Sequence, residues 1–237
     1  MPSKNQKAIC EQLEGSVYYR LQDIESLPES EQLLVERLGR HAVLDVVEVQ
    51  LEAGFPFTVD LISEFTQLKK LKIIGIDPIE KGYESIFGFL ELEELIFERT
   101  SLDDLAGFGA LKQLRKFGLY ELTRGQQGAE VFGSLEFLTT LHLNDSPVDQ
   151  IQLDGIATSQ SIEDLSFSVT VGQLDLAPLA QMKQLKFIQI RRAKTSEFDT
   201  TVFLELKNLK ELKIWPAMKT NDPVMLELEE RGVRVDA

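Results

Sequence analysis

The sequence predicts an α/β solenoid of about eight coils, each with one short strand and one short helix or 3₁₀ turn. Two observations carry this. An apolar unit of the form LxxLxL recurs at a near-constant step, and further apolar positions precede each unit by threes. A third observation, the loss of the period at both ends, predicts caps. The unit reads Leu68, Leu71, Ile73; Leu92, Leu95, Phe97; Leu114, Phe117, Leu119; Leu138, Leu141, Leu143; Ile162, Leu165, Phe167; Leu185, Ile188, Ile190; and Leu209, Leu212, Ile214. A weaker first copy is Leu44, Val47, Val49. With the middle residue of each triplet as marker, the steps are 24, 24, 22, 24, 24, 23 and 24 residues. Such a period is the signature of a repeat architecture.

The chemistry of each part of the coil follows from its spacing. Three residues before each triplet lie Phe65, Phe89, Leu111, Leu135, Ser159, Met182 and Leu206, and three before those lie Ile62, Ile86, Phe108, Phe132, Ile156, Leu179 and Phe203. Steps of three suit a 3₁₀ turn, in which side chains at i and i+3 eclipse. The final LxL step places two side chains on one face of a strand. All of these side chains therefore aim at one shared interior. A single coil buries about four to six large apolar side chains, at roughly 1.5–3 kcal/mol each. Ordering over twenty residues costs a comparable amount. One coil cannot stand alone; a stack can.

The repeat resembles the leucine-rich-repeat family over about residues 42–220, and Asp175-Leu176-Ala177-Pro178-Leu179 through Leu185 is similar to the bacterial internalin-type form. The resemblance implies a curved solenoid with the parallel sheet on its concave face, helices or 3₁₀ turns on its convex face, and a protein partner. One departure concerns the turn after each strand. The family's Asn position is held here by Ile76, Thr100, Leu122, Ser146, Thr170, Ala193 and Ala217. Irregular turns are expected where no side chain replaces the Asn ladder.

The ends read as caps on one structural domain: residues 1–41 at the N-terminus, 42–220 as the solenoid, and 221–237 at the C-terminus. In the first segment Lys4–Leu13 and Glu29–Gly39 read as helices, and Val17, Tyr19 and Leu21 alternate as a strand would. In the last, Asp222-Pro223 opens a helix to Glu230, Gly232 stops it, and Val233 with Val235 makes a short strand. Asp103, Asp154, Asp175 and Asp199 stand where helix starts need a capping carboxylate. They account for part of the acidity without invoking function.

Composition narrows the function. Of 237 residues 43% are hydrophobic and 27% charged, a globular balance, and the net charge is −14. So acidic a chain repels phosphate backbones and anionic lipid heads, which excludes nucleic acid and membrane as expected partners and favours basic proteins. Cys10 is the single cysteine, so no internal disulfide forms. The first residues hold no apolar run of signal-peptide length, and no stretch reaches the roughly 18 apolar residues of a membrane span. A cytoplasmic location is expected. The Asn144-Asp145-Ser146 sequon then reads as structural.

Motifs for chemistry are missing. His41, His142 and Cys10 do not have metal-ligand spacing, no nucleophile elbow or phosphate loop occurs, and paired carboxylates such as Glu93-Glu94 arise by chance in so acidic a chain. No enzyme activity, metal, cofactor or small-molecule substrate is expected. If there were a metal site, Glu94 and Glu98 would be its best donors. What remains is surface. Residues flanking the two inward positions of each strand form a grid. Its rows run from Val46, Glu48, Gln50 through Lys70, Lys72, Ile74 and Glu94, Ile96, Glu98 to Glu211, Lys213, Trp215. Eight strands make a strip roughly 35–40 Å long. The residues expected to contact a partner are Tyr120, His142, Asn144, Phe187, Gln189, Arg191 and Trp215. Tyr120, His142 and Asn144 read as an exposed polar–aromatic patch. Trp215, just before Pro216, either covers the last coil or anchors a partner. Arg191, Arg192 and Lys194 read first as a solvated face and second as an anchor for a carboxylate-rich segment.

The function expected is a non-enzymatic module that binds a partner protein on the concave face. Two alternatives stand beside it: a bacterial immunity or inhibitor protein that neutralises a basic toxin, and a self-associating structural solenoid.

Overall fold

The protein is described from a computed structural model at residues 16–20, 48–52, 68–74, 83–100, 102, 104–121, 127–169, 174–192, 198–215 and 222–236. The predicted helices Lys4–Leu13 and Glu29–Gly39 lie outside these residues, as do most of the turns at the Asn-ladder positions.

Among the described residues ten strands form one sheet in which every neighbour is parallel and spatial order follows chain order. They are β1 (Ser16–Arg20), β2 (Glu48–Glu52), β3 (Lys70–Ile74), β4 (Glu94–Glu98), β5 (Lys116–Tyr120), β6 (Thr140–Val148), β7 (Asp164–Val169), β8 (Phe187–Arg191), β9 (Glu211–Trp215) and β10 (Arg234–Asp236). The eight coils expected from the period are thus extended by a strand at each end. Val17 of β1 pairs with Val49, and Val235 of β10 pairs with Leu212. The first coil is also offset from the expectation. Val49 and Leu51 pair in register with Leu71 and Ile73, so they take the register positions assigned from sequence to Val47 and Val49. A run of Val46, Val47, Val49 and Leu51 offers two registers that differ by one pleat. The backbone takes the later one.

The steps of three correspond to hydrogen bonds. Phe89 N–H donates to the Ile86 carbonyl and Leu92 N–H to that of Phe89. Leu111 and Leu114 repeat this against Phe108 and Leu111, as do Met182 and Leu185 against Leu179 and Met182. The apolar residue at each step is therefore also the 3₁₀ acceptor. The side chains of Ile86, Phe108, Phe132, Ile156, Leu179 and Phe203 are all buried. The following strand is tied to the previous coil by a shared acceptor. Glu93 and Glu94 N–H both donate to Lys69 O, Arg115 and Lys116 to Glu93 O, and Thr139 and Thr140 to Arg115 O.

The convex side carries 3₁₀ helices at Tyr83–Gly88, Ala106–Ala110, Ala129–Ser134, Ala177–Gln181 and Thr200–Glu205, with α-helices α1 (Gln150–Ile156) and α2 (Pro223–Glu230). Carboxylates open several of them, though at partly different positions from those expected, while the Ala129–Ser134 turn starts from Gly128. Asp175 accepts from Ala177 N–H, Asp199 from Thr201 N–H and Asp222 from Val224 N–H. Asp104 accepts from Ala106 N–H, and Asp103 is outside the described residues. Asp154 lies within α1, whose cap is Asp149; Asp149 and Gln152 form a reciprocal capping box. α2 and Gly232, which has φ of 85°, match the expected C-terminal helix and stop.

Inside, Phe87, Phe97, Phe108, Phe117 and Phe132 form a continuous aromatic spine, with centroid separations of 4.4–6.2 Å between successive rings. Farther along, Leu, Ile and Met take over. Convex turns nest through glycines. A Cβ on Gly107 would meet the Phe87 ring at 2.2 Å, and one on Gly109 would meet Val131 at 2.3 Å. The tightest approach is between Gly133 and the Gly155 carbonyl of α1.

Of the Asn-ladder positions, Ser146 falls within β6, and Thr100 is buried, its hydroxyl donating to Glu98 O at 3.4 Å. Side-chain bonds between coils appear just upstream of the strands. Ser161 donates to Leu135 O, Gln184 to Ser159 O and Asn208 to Lys183 O. The turn leaving the strand carries backbone strain in three coils, where Arg99, Glu121 and Arg192 have φ of 53–58°. A left-handed L-residue costs roughly 1–2 kcal/mol, and glycine in the unfolded chain gives back about half of any relief. Glu121→Gly is therefore expected to raise stability by up to about 1 kcal/mol, read as a higher urea midpoint with unchanged slope.

Candidate functional site

Five rows of the concave sheet face, from β5 to β9, hold all the residues singled out from sequence, and the structure sorts them into three groups.

The first is a relay across three strands. Tyr120 OH lies 2.7 Å from His142 Nδ1, and His142 Nε2 lies 3.1 Å from Asp164 Oδ1. The tautomer with its proton on Nε2 satisfies both contacts: Tyr120 donates to Nδ1, and Nε2–H donates to the carboxylate. The register explains the line-up. Lys116 pairs with Thr140, and Thr140 with Asp164, so each strand advances 24 residues. Tyr120, His142 and Asp164 are 22 apart, so each is one strand over and one pleat back, a diagonal on the same face. Gly118 makes the diagonal possible. A Cβ there would lie 2.6 Å from Tyr120 Cε2, so the tyrosine ring folds back over the bare glycine towards His142, edge to face at 87°. Burial, followed by the charges of Asp164, Glu94 and Glu98, raises the Tyr120 hydroxyl above its ordinary pKa and keeps it a donor.

The second group is a buried polar pair. Asn144 was expected in the exposed patch with Tyr120 and His142. It is instead only 8% exposed, and its carbonyl accepts from the buried Ser166 hydroxyl. Ser166 is again 22 residues on. The register of β6 against β7 shifts between Leu143 and Pro147, so the strand continues past the expected turn and leaves Asn144 inside it. A buried amide that satisfies a buried hydroxyl is structural here, so Asn144 does not belong to the exposed patch.

The third group is exposed. Phe187 is 38% and Trp215 53% exposed, with Gln189, Arg191 and Lys213 half-buried between them. Arg191 pairs in register with Trp215, and Phe187 stands between Asp164 on β7 and Glu211 on β9. Trp215 is therefore not covered by the described residues.

The charges of this face are largely paired. Lys116 meets Glu94 at 2.7 Å, Lys72 meets Glu98 at 3.0 Å, and Glu211 is met by Lys213 at 2.9 Å and Arg234 at 3.5 Å. Exposed pairs of this kind contribute about 0–1 kcal/mol each, so they cancel local charge more than they stabilise. Glu94 and Glu98 are thus committed to lysines. Among the described residues no group of three or more His, Cys, Asp or Glu side chains is placed to hold a metal ion, and no helix is long and apolar enough to cross a membrane. A hollow of about 760 Å³ lies elsewhere, on the convex flank, lined by Gln150, Asp154, Leu174, Asp175, Phe198 and Asp199 among others. Its carboxylates are the caps already described together with Asp154, which is held by Gln150.

Asp164, Ser166 and Gly118 were visible as grid positions but were not singled out. The signal for Asp164 and Ser166 is their separation of 22 from His142 and Asn144 where the coil step is 24, and that for Gly118 is a missing side chain two residues before Tyr120.

No family model and no curated protein matches the chain. Solved structures do. The chain is similar to an internalin C2 from Listeria monocytogenes at 16% identity and a TM-score of 0.59, covering 77% of either chain. It is similar to an internalin, InlF, from the same species at 14% identity and a TM-score of 0.59, covering 85% of this chain and 56% of the other. A TLR13–ssRNA13 complex matches at 12% identity and a TM-score of 0.62, over 86% of this chain and 30% of TLR13. At these identities the likeness is one of fold.

Proposed function

We propose that this chain, a leucine-rich-repeat solenoid, is a protein-binding module whose contact surface is the concave face between β5 and β9. The observation that carries the reading is the pair of exposed aromatic rings, Phe187 and Trp215, on a sheet face whose charges are largely paired. Aromatic and arginine side chains are the usual anchors of interfaces. Tyr120 and His142 belong to the same surface as its ordered floor, and Gln189 and Arg191 lie between the anchors. Exposed Ile151 and Leu226 on the convex helices are isolated aliphatic residues of a kind that needs no partner.

The partner is basic. A net charge of −14 accelerates encounter with a cationic protein and resists RNA, whatever the TLR13 complex holds. An immunity or inhibitor protein directed at a basic toxin is the special case of this reading. Its activity is binding, with no catalytic step. The lone Cys10 suits a reducing, cytoplasmic setting.

The test is capture of a partner from the source organism on the immobilised full chain, with mass-spectrometric identification. The combined Tyr120→Ala, Arg191→Ala and Trp215→Ala variant is expected to lose the captured protein by more than about tenfold, since each anchor is worth on the order of 1 kcal/mol or more. The Ile151→Ala, Leu226→Ala variant is expected to retain it. Equal capture by all three chains would place the contact off this face.

A further inference from the structure

We infer that the concave floor at β7–β8 is built as a seat for a guanidinium group, so that the partner presents an arginine here. The inference rests on the concave-face reading above and specifies its chemistry.

Three observations converge. Asp164 and Phe187 are register neighbours on the same face, so their Cβ atoms are separated by about one strand spacing, near 5 Å. The Phe187 ring is 38% exposed and the Asp164 side chain 37% exposed, so both open to solvent side by side. Finally, among the described residues, the carboxylates Glu94, Glu98 and Glu211 of this face each meet a lysine or arginine, and Asp164 meets none. Its one side-chain partner among the described residues is His142, through Oδ1, and Oδ2 is left for another donor. Nearby Lys186 is engaged with Glu163 at 2.6 Å.

The relay gives Asp164 its fixed direction. Tyr120 holds His142, and His142 holds Oδ1, so the carboxylate is oriented before any partner arrives. A planar cation fits what is left. A guanidinium lies flat on an aromatic ring within about 6 Å of its centroid while its edge donates to a carboxylate beside that ring. An ammonium makes the charge contact but lacks the flat face and the forked donors. Acidity across the chain adds long-range attraction, and Glu211 on the far side of Phe187 is already neutralised by Lys213 and Arg234, so Asp164 is the carboxylate that an arriving cation meets.

The test uses a displayed library of random dodecapeptides panned against the immobilised full chain. Enriched sequences are expected to share an arginine at one fixed place. Synthetic peptides from that pool are expected to lose affinity about tenfold or more when the arginine becomes citrulline, its neutral isostere, and less when it becomes lysine. Asp164→Asn and Phe187→Ala chains are expected to show the same loss for the arginine peptide and little loss for the citrulline peptide. Enrichment of peptides without a fixed arginine, or no enrichment, overturns the seat. If such arginine-free peptides still lose binding to the Trp215→Ala chain, concave binding stands without the seat. If they bind the Asp164→Asn, Phe187→Ala and Trp215→Ala chains as well as the original, both readings fall.

Discussion

Phe108→Ala is expected to cost about 3–5 kcal/mol, the range for removing a fully buried phenylalanine from a core that cannot collapse around the gap. Phe108 is wholly buried, with ring centroids of Phe87, Phe97 and Phe117 at 5.2, 5.6 and 5.3 Å. It thus joins the coil before it, through Phe87 and Phe97, to its own strand at Phe117. In a solenoid each coil is stabilised by its neighbours alone, so the loss acts at one interface. The N-terminal coils are expected to open first. Hydrogen exchange should show amides of β3 and β4 losing protection in the variant while those of β7 to β9 keep theirs. Uniform loss along the whole sheet would mean that the stack unfolds as one unit.

Gly133→Ala is expected to destabilise by about 1–3 kcal/mol, and more if the backbone cannot yield. A Cβ at this position would stand 1.9 Å from the Gly155 carbonyl oxygen, a backbone atom with no rotamer to escape through. The companion Gly155→Ala separates two effects of opposite sign. Gly155 is inside α1, where alanine gains roughly 1 kcal/mol of helix propensity. Its Cβ would also meet Glu130 Cβ at 2.2 Å and Glu130 Cα at 2.8 Å. Those atoms lie at the fixed root of the side chain, so the collision outweighs propensity. Thermal melts that fall for both variants fit this packing. A gain for Gly155→Ala would show that α1 can shift away from the Ala129–Ser134 turn.

Much of this architecture was legible because the sequence writes hydrogen bonds as spacings. Phe108, Leu111 and Leu114 are three apart since each amide donates to the carbonyl three back. Leu95 and Phe97 are two apart since both face the core from one strand. The first coil was misaligned for a physical reason: with valines at 46, 47 and 49 and Leu51 following, apolar content does not choose the register, and pairing with β3 does. The end strands were legible as strands through Val17, Tyr19 and Val235. Their joining the sheet was not, because pairing belongs to the neighbour as much as to the segment.

The site was read less completely. Single grid positions follow from alternation, which is how Tyr120, His142, Phe187 and Trp215 were found. Contacts between grid positions depend on the difference between the coil step and one pleat, which is why alternation alone does not bring Asp164 to His142. Asn144 was misplaced because the extension of β6 past Leu143 depends on its pairing with Ser168 and Val169 of β7, which alternation within β6 alone does not reveal.

The most direct measurement is site-specific photocross-linking with the photoreactive residue placed at Gln189 on the concave floor or at Ile151, 74% exposed on α1. Irradiation with the captured partner should yield a covalent adduct from position 189 and none from position 151. An adduct from position 151 with none from 189 would contradict binding on the concave face.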